Sequence, residues 1–87
     1  VNMAKHSVRM WALSTCAWCK KTRRFLEDQD VDLEIYDVDL MEPDARDAAR
    51  AKLTRYNPER SYPTVVVDDA EVVIGYDPHR LRELLEL

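Results

Sequence analysis

Two cysteines, Cys16 and Cys19, stand three positions apart where one hydrophobic pattern gives way to another. Before them, Val8 to Leu13 (Val-Arg-Met-Trp-Ala-Leu) reads as a buried strand ending at Ser14-Thr15. After them, from Ala17 to about Gln29, Trp18, Thr22, Phe25 and Leu26 recur with a helical period. Thr15 is the expected N-cap, offering a side-chain oxygen to an orphan backbone N–H. A cysteine pair at a strand-to-helix junction restricts the fold sharply. The strand that follows the helix must return parallel to the first, through a right-handed crossover.

That return strand is expected over Asp32 to Val38, where Leu33, Ile35, Tyr36 and Val38 supply the apolar positions. Pro43 fits the first turn of a second helix, and Asp44 suits its positive end. Ala45, Ala48, Ala49, Leu53 and Tyr56 form that helix's apolar stripe, and Asn57-Pro58 ends it. Thr64 to Val67 is a β-branched strand, Asp68 to Glu71 a turn, and Val72 to Ile74 the second arm of a hairpin. Gly75, the only glycine, closes that arm; Asp77-Pro78 then starts a last helix with Leu81, Leu84 and Leu85 inward. The order βαβ, helix, ββα requires a mixed sheet with helices on both faces. The fold class is α/β.

Eighty-seven residues with 46% hydrophobic and 34% charged content suit one economical globular domain and exclude disorder. No apolar run approaches the roughly 18 residues of a membrane helix, and the first eight residues lack a signal-peptide core. A cytoplasmic monomer without a membrane partner is expected. Residues 1–26 carry six basic side chains and no acidic one, while the rest of the chain holds seven basic and seventeen acidic. So sparse a basic stretch on an acidic chain predicts a solvated helix face, with no nucleic-acid partner.

Two cysteines cannot build the disulfide framework of a secreted mini-protein. A structural zinc site needs four ligands, and His6 and His79 stand alone and far apart, so no metal site is expected. Two inert buried cysteines remain an alternative. At the start of a helix, however, the first cysteine faces unpartnered backbone N–H groups that favour the reactive thiolate. Lys20, Lys21 and Arg23 follow within the next turn or two and act in the same direction. Cys19, one turn on, is on the same side and within reach of a mixed disulfide at Cys16. That is the arrangement thiol–disulfide exchange needs.

Ser14-Thr15-Cys16-Ala17-Trp18-Cys19-Lys20 resembles the active-site segment of glutaredoxins. Tyr62-Pro63-Thr64 is similar to that family's later proline motif, and Gly75-Tyr76-Asp77-Pro78 to its glycine turn. The resemblance runs from Val8 onward. Length and composition give one domain over residues 1–87, of which 1–7 form a loose end, and the resemblance implies a thioredoxin fold, β-α-β-α-β-β-α, with a four-stranded mixed sheet and three helices. It implies Cys16 as nucleophile and Cys19 as resolving thiol, with no bound cofactor. Thr15, Trp18, Tyr62, Pro63, Thr64, Gly75, Tyr76 and Asp77 are the expected substrate-contacting residues. The peptide bond at Pro63 is implied to be cis, with the Tyr62 backbone pairing with the bound thiol partner.

Three departures bear on specificity. Glutathione-using glutaredoxins have Pro-Tyr between the cysteines, where this chain has Ala17-Trp18. Their lysine three residues before the first cysteine is replaced by Leu13, and their double glycine is reduced to Gly75 with Tyr76 beside it. Gly75-Tyr76-Asp77-Pro78-His79 is more similar to the redoxins that donate electrons to ribonucleotide reductase and are recharged by a reductase enzyme, although the second helix is longer here. Protein or small-molecule disulfides are the expected substrates, with disulfide-bearing proteins as the partners. The donor is a reductase or glutathione, with glutathione the poorer fit. The rival readings are a glutathione-dependent iron–sulfur cluster carrier and a non-catalytic adaptor.

Overall fold

The structure, a computed structural model, describes residues 5–87. Eight elements follow one another: β1 (Ser7–Ala12), α1 (Ala17–Glu27), β2 (Asp32–Asp37), a 3-10 turn (Val38–Leu40), α2 (Pro43–Tyr56), β3 (Thr64–Val67), β4 (Glu71–Ile74) and α3 (Pro78–Leu84). The sheet order is β2-β1-β3-β4. β1 and β2 run parallel from Ser7↔Asp32 to Ala12↔Asp37, as a helical crossover demands. β3 lies antiparallel to β1, and β4 antiparallel to β3. This is the α/β thioredoxin fold, and the expected class holds.

Strand alternation divides the core into two layers. Val8, Met10 and Ala12 of β1, with Val65 and Val67 of β3, face α1 and α3 and meet Cys19, Leu26, Leu81 and Leu85. Trp11 and Val66 face the opposite way and pack with Val38, Ala49 and Leu53. Trp11 is fully buried, and its indole N–H donates to the carbonyl of Ala49 at 2.8 Å. A large ring on a strand thus becomes the contact through which α2 is seated, flanked by Tyr36 and Tyr56 at 5.2 and 5.9 Å.

Several local expectations are corrected. The helix after the cysteines stops at Glu27 instead of Gln29, with Asp28 as its C-cap. Its buried face is Cys19, Thr22 and Leu26, so Trp18 falls outside the stripe and is 56% exposed. On α2 only Ala49 and Leu53 are buried; Ala45 and Ala48 are exposed, because the helix touches the sheet along a narrower line than its alanines suggest. Val38 leaves the strand to start the 3-10 turn.

Just ahead of β1 the chain is held at His6. Ser7 begins the strand, and the His6 ring joins Asp68 at 2.6 Å and Glu86 at 2.9 Å. The remainder of the loose end expected over residues 1–7 falls on 1–4, outside the described residues. Among the described residues no helix is long and apolar enough to cross a membrane.

Candidate active site

Because β1 and β2 are parallel neighbours, their C-terminal ends lie side by side, and the segment leaving β1 meets the segment leaving β2. Asp39 exploits this: its carboxylate accepts the Ser14 backbone N–H at 2.9 Å and the Ser14 hydroxyl at 2.5 Å. Those two bonds, the hydroxyl first, hold the Asp39 carboxyl below its ordinary value. The loop carrying the first cysteine is thus anchored at Ser14, two residues before the sulfur.

Cys16, not Thr15, is the N-cap of α1. Its Sγ accepts the backbone N–H of Cys19 at 3.2 Å, and its carbonyl starts the helical ladder to Lys20 at 3.1 Å. Thr15 is exposed in the preceding turn. A thiol can take the capping position because it, like a hydroxyl, brings an acceptor atom to the free N–H groups of the first turn. The result is a half-buried sulfur at the tip of the helix.

Cys19, one turn later, is 2% exposed. Burial pushes its thiol up to about 12, the adjacent Cys16 sulfur adds to the rise, and the charge of Asp37 contributes last. Asp37 ends β2 and is paired with Arg23 of α1 at 2.5 Å. Asp37, Arg23 and Cys19 border a small hollow of about 100 Å³ together with Leu13, Lys20 and Leu40.

A second, open groove of about 270 Å³ lies beside this pair, lined by Trp18, Tyr62, Pro63, Gly75 and Tyr76. The Tyr62–Pro63 peptide bond is cis, as the resemblance implied. Trp18 and Tyr76 stack across the groove with ring centroids 5.7 Å apart and planes 23° from parallel. Gly75 adopts φ +82°, a left-handed conformation suited to glycine, and its N–H donates to the Pro63 carbonyl at 2.8 Å. Strand-end glycine and proline loop are thereby tied together.

A glutaredoxin family model matches residues 8–72, a stretch that contains both cysteines and the proline loop. The chain belongs to the glutaredoxin family. Among solved structures, it is similar to methanoredoxin from Methanosarcina acetivorans, at 38% identity and TM-score 0.88 over 93% of this chain and 85% of that one. A glutaredoxin from Archaeoglobus fulgidus is 36% identical, with TM-score 0.82 over 98% and 89% of the two chains. The NrdH-redoxin of Escherichia coli, a glutaredoxin-like protein with a thioredoxin-like activity profile, is 26% identical, with TM-score 0.64 over 90% and 93%. A curated relative, an uncharacterized glutaredoxin-like protein of Clostridium pasteurianum, is 25% identical over 79 residues, 91% of this chain and 97% of the other.

Within this glutaredoxin-family framework, the side chains of Thr64 and Asp77 have partners inside the chain. Thr64 is fully buried, and its hydroxyl donates to the Ser61 carbonyl at 2.8 Å while accepting from Asn57 at 3.0 Å. It shapes the proline loop from beneath and does not line the groove. Asp77 caps α3 by accepting the Arg80 N–H at 3.0 Å. Asn57, unremarked in the sequence beyond ending a helix, is 2% exposed and also donates to the Ser61 hydroxyl at 2.9 Å. A buried asparagine must satisfy its amide, and the loop is built around it. Its proximity to Pro58 in the chain masked it as a mere helix stop.

Proposed function

We propose that the chain is a thiol–disulfide oxidoreductase that reduces protein or small-molecule disulfides, with Cys16 as nucleophile and Cys19 as resolving thiol. The observation that carries this reading is the contrast between two sulfurs one helical turn apart. Cys16 is accessible and capped by a backbone N–H, whereas Cys19 is buried behind it. The Cys16 sulfur attacks one sulfur of the substrate disulfide, and the other leaves as a thiolate that takes up a proton. A mixed disulfide then joins Cys16 to the substrate. Cys16 no longer carries charge at that stage, so one of the causes that raise the Cys19 pKa is gone. Cys19 loses its proton and attacks Cys16, releasing the second substrate thiol. Two electrons pass to the substrate and a Cys16–Cys19 disulfide remains.

Trp18, Tyr62, Pro63, Gly75 and Tyr76 are the surface on which the substrate lies, with an extended segment pairing along the Tyr62 backbone. An external donor restores the dithiol, and a reductase enzyme is favoured over glutathione. Two features support this preference: Leu13 in place of a carboxylate-binding lysine, and the Tyr76 ring stacked on Trp18 where glutathione-binding relatives have glycine. The thioredoxin-like activity profile of the Escherichia coli NrdH-redoxin supports it further. Such chemistry suits a reducing cytoplasm.

The decisive experiment is a trap. Cys19→Ser mixed with disulfide substrate is expected to accumulate a covalent complex at Cys16, and Cys16→Ser to accumulate none. Absence of a complex with Cys19→Ser would remove the activity and leave an adaptor. Oxidised protein offered glutathione or a thioredoxin reductase is expected to be reduced faster by the enzyme; faster reduction by glutathione would reverse the assignment of donor.

A further inference from the structure

Lys20, Lys21 and Arg24 lie together on the exposed side of α1 and border one open hollow of about 220 Å³. The fourth cation of the helix, Arg23, is neutralised by Asp37. Among the described residues, Lys20, Lys21 and Arg24 have no ion-pair partner. Lys21 Nζ sits 4.8 Å over the ring of Trp18, which joins this face to the groove. α1 has no acidic residue in its first turn. Of the nearby carboxylates, Asp37 is bound to Arg23, Asp39 to Ser14, and Asp77 to the start of α3, while Glu27 and Asp28, three and four residues beyond Arg24, point into solvent without an ion pair to it. The helix that presents Cys16 therefore carries three free positive charges on a chain whose net charge is −4.

We propose that this face selects acidic protein disulfides, whose flanking carboxylates dock on Lys20, Lys21 and Arg24 while their sulfur meets Cys16. The inference rests on the oxidoreductase reading and specifies its substrate class. Net charge and local charge here make opposite demands. A chain of negative net charge repels acidic partners at long range, whereas the local face attracts them at contact. Within a Debye length of about 10 Å at 0.1 M salt the local field decides, and it fixes the approach of the partner as well as its rate. A nucleic acid is a weaker candidate, since a phosphate backbone is held by a longer cationic track than three side chains.

The test uses the reduced 87-residue chain under anaerobic conditions and two cyclic disulfide peptides of equal length, one flanked by Asp and Glu, the other by Lys. Reduction is followed by acid quench and mass spectrometry, with hydroxyethyl disulfide as an uncharged reference. At low salt the acidic peptide is expected to react about tenfold faster than the basic one, and the ratio to collapse to about two or less near 0.5 M salt. The ratio, which cancels any common effect on the sulfur, is expected to fall to one or below in Lys20→Gln/Lys21→Gln/Arg24→Gln. It is expected to persist in Lys52→Gln/Arg55→Gln on α2. Equal rates, or a faster basic peptide, while hydroxyethyl disulfide is reduced would overturn this inference alone. Equal loss of the ratio in both variants would overturn it in favour of net charge. Retention of the chain on a single-stranded oligonucleotide at about 0.1 M salt would assign the face to nucleic acid instead. Failure to reduce any of the three disulfides would remove the oxidoreductase reading and this one with it.

Discussion

The backbone N–H of Cys19 donates to the Sγ of Cys16 across 3.2 Å, so the first cysteine caps the helix through the main chain of the second, whose own sulfur lies buried. Three residues of helix thus place two chemically identical groups in opposite surroundings. One sulfur faces solvent and a hydrogen-bond donor. The other faces Leu26-type core packing and is driven up to about 12, chiefly by loss of solvation.

Selective alkylation follows from that contrast. Iodoacetamide at about pH 7 is expected to modify Cys16 at least about tenfold faster than Cys19, because only an exposed thiolate reacts readily. Fragment mass spectrometry of the tryptic peptide spanning residues 10–20 reads both sites at once. Equal labelling would contradict the buried placement of Cys19.

Trp11 is the expected weak point of the α2 layer. Trp11→Phe removes the indole bond to the Ala49 carbonyl and leaves a space between Tyr36 and Tyr56. A loss of about 2–3 kcal/mol is expected, seen as a lower urea midpoint with an unchanged slope. A loss below about 0.5 kcal/mol would mean that α2 is seated by Leu53 and Val38 without the indole.

Gly75 separates backbone strain from steric crowding. Its φ is +82°, yet a Cβ added there would meet nothing within 4 Å. Gly75→Ala is therefore expected to cost about 1–2 kcal/mol through conformation alone, measured by the same denaturation. A neutral result would show that the turn relaxes when glycine is lost.

The His6 clasp predicts a pH dependence. The Asp68 hydrogen bond raises the His6 pKa above 6.5, burial opposes the rise, and Glu86 adds to it. The bridged imidazolium then stabilises the fold in full below 6.5, and this contribution fades as pH climbs through the raised value. The same bonds depress Asp68 below 3.8 and, behind Lys5, Glu86 below 4.5, so the carboxylate contributions are complete above those values and lost as pH falls through the depressed ones. The advantage of the native chain over His6→Gln is accordingly expected to be greatest between 4.5 and 6.5 and to shrink in alkaline buffer. Urea midpoints of both proteins across pH test this. A difference that grows toward alkaline pH would refute the clasp.

Much of the candidate site was legible from order and spacing. A strand, a Cys-x-x-Cys pair and a helix form a local sequence whose geometry needs no distant partner, and Tyr62-Pro63 and Gly75 mark turns by their own chemistry. The rest depends on which groups the folded backbone brings into contact, and residue type alone does not say. Thr15 has the usual composition of a cap, yet the helix begins one residue later with the cysteine in that role. Thr64 sits in a recognisable motif, but Asn57 and Ser61 claim its hydroxyl. Ala45 and Ala48 have the right period, yet Ala49 and Leu53 are the residues that α2 buries. Asp39, Asp37 and His6 are ordinary charged residues in the sequence, and their partners lie 25, 14 and up to 80 positions away.

By itself, the amino-acid order determined the α/β element sequence, the parallel pairing of the first two strands and the position of a cysteine pair at a helix start. These rest on periodicity, glycine and proline stereochemistry, and the handedness of crossovers, all of which act over short stretches. The tertiary structure alone decided which sulfur is buried, which acids are engaged and which cations of α1 stay free. Solvation and charge pairing depend on what the folded chain brings alongside each group, and that is a property of the packed sheet and helices together.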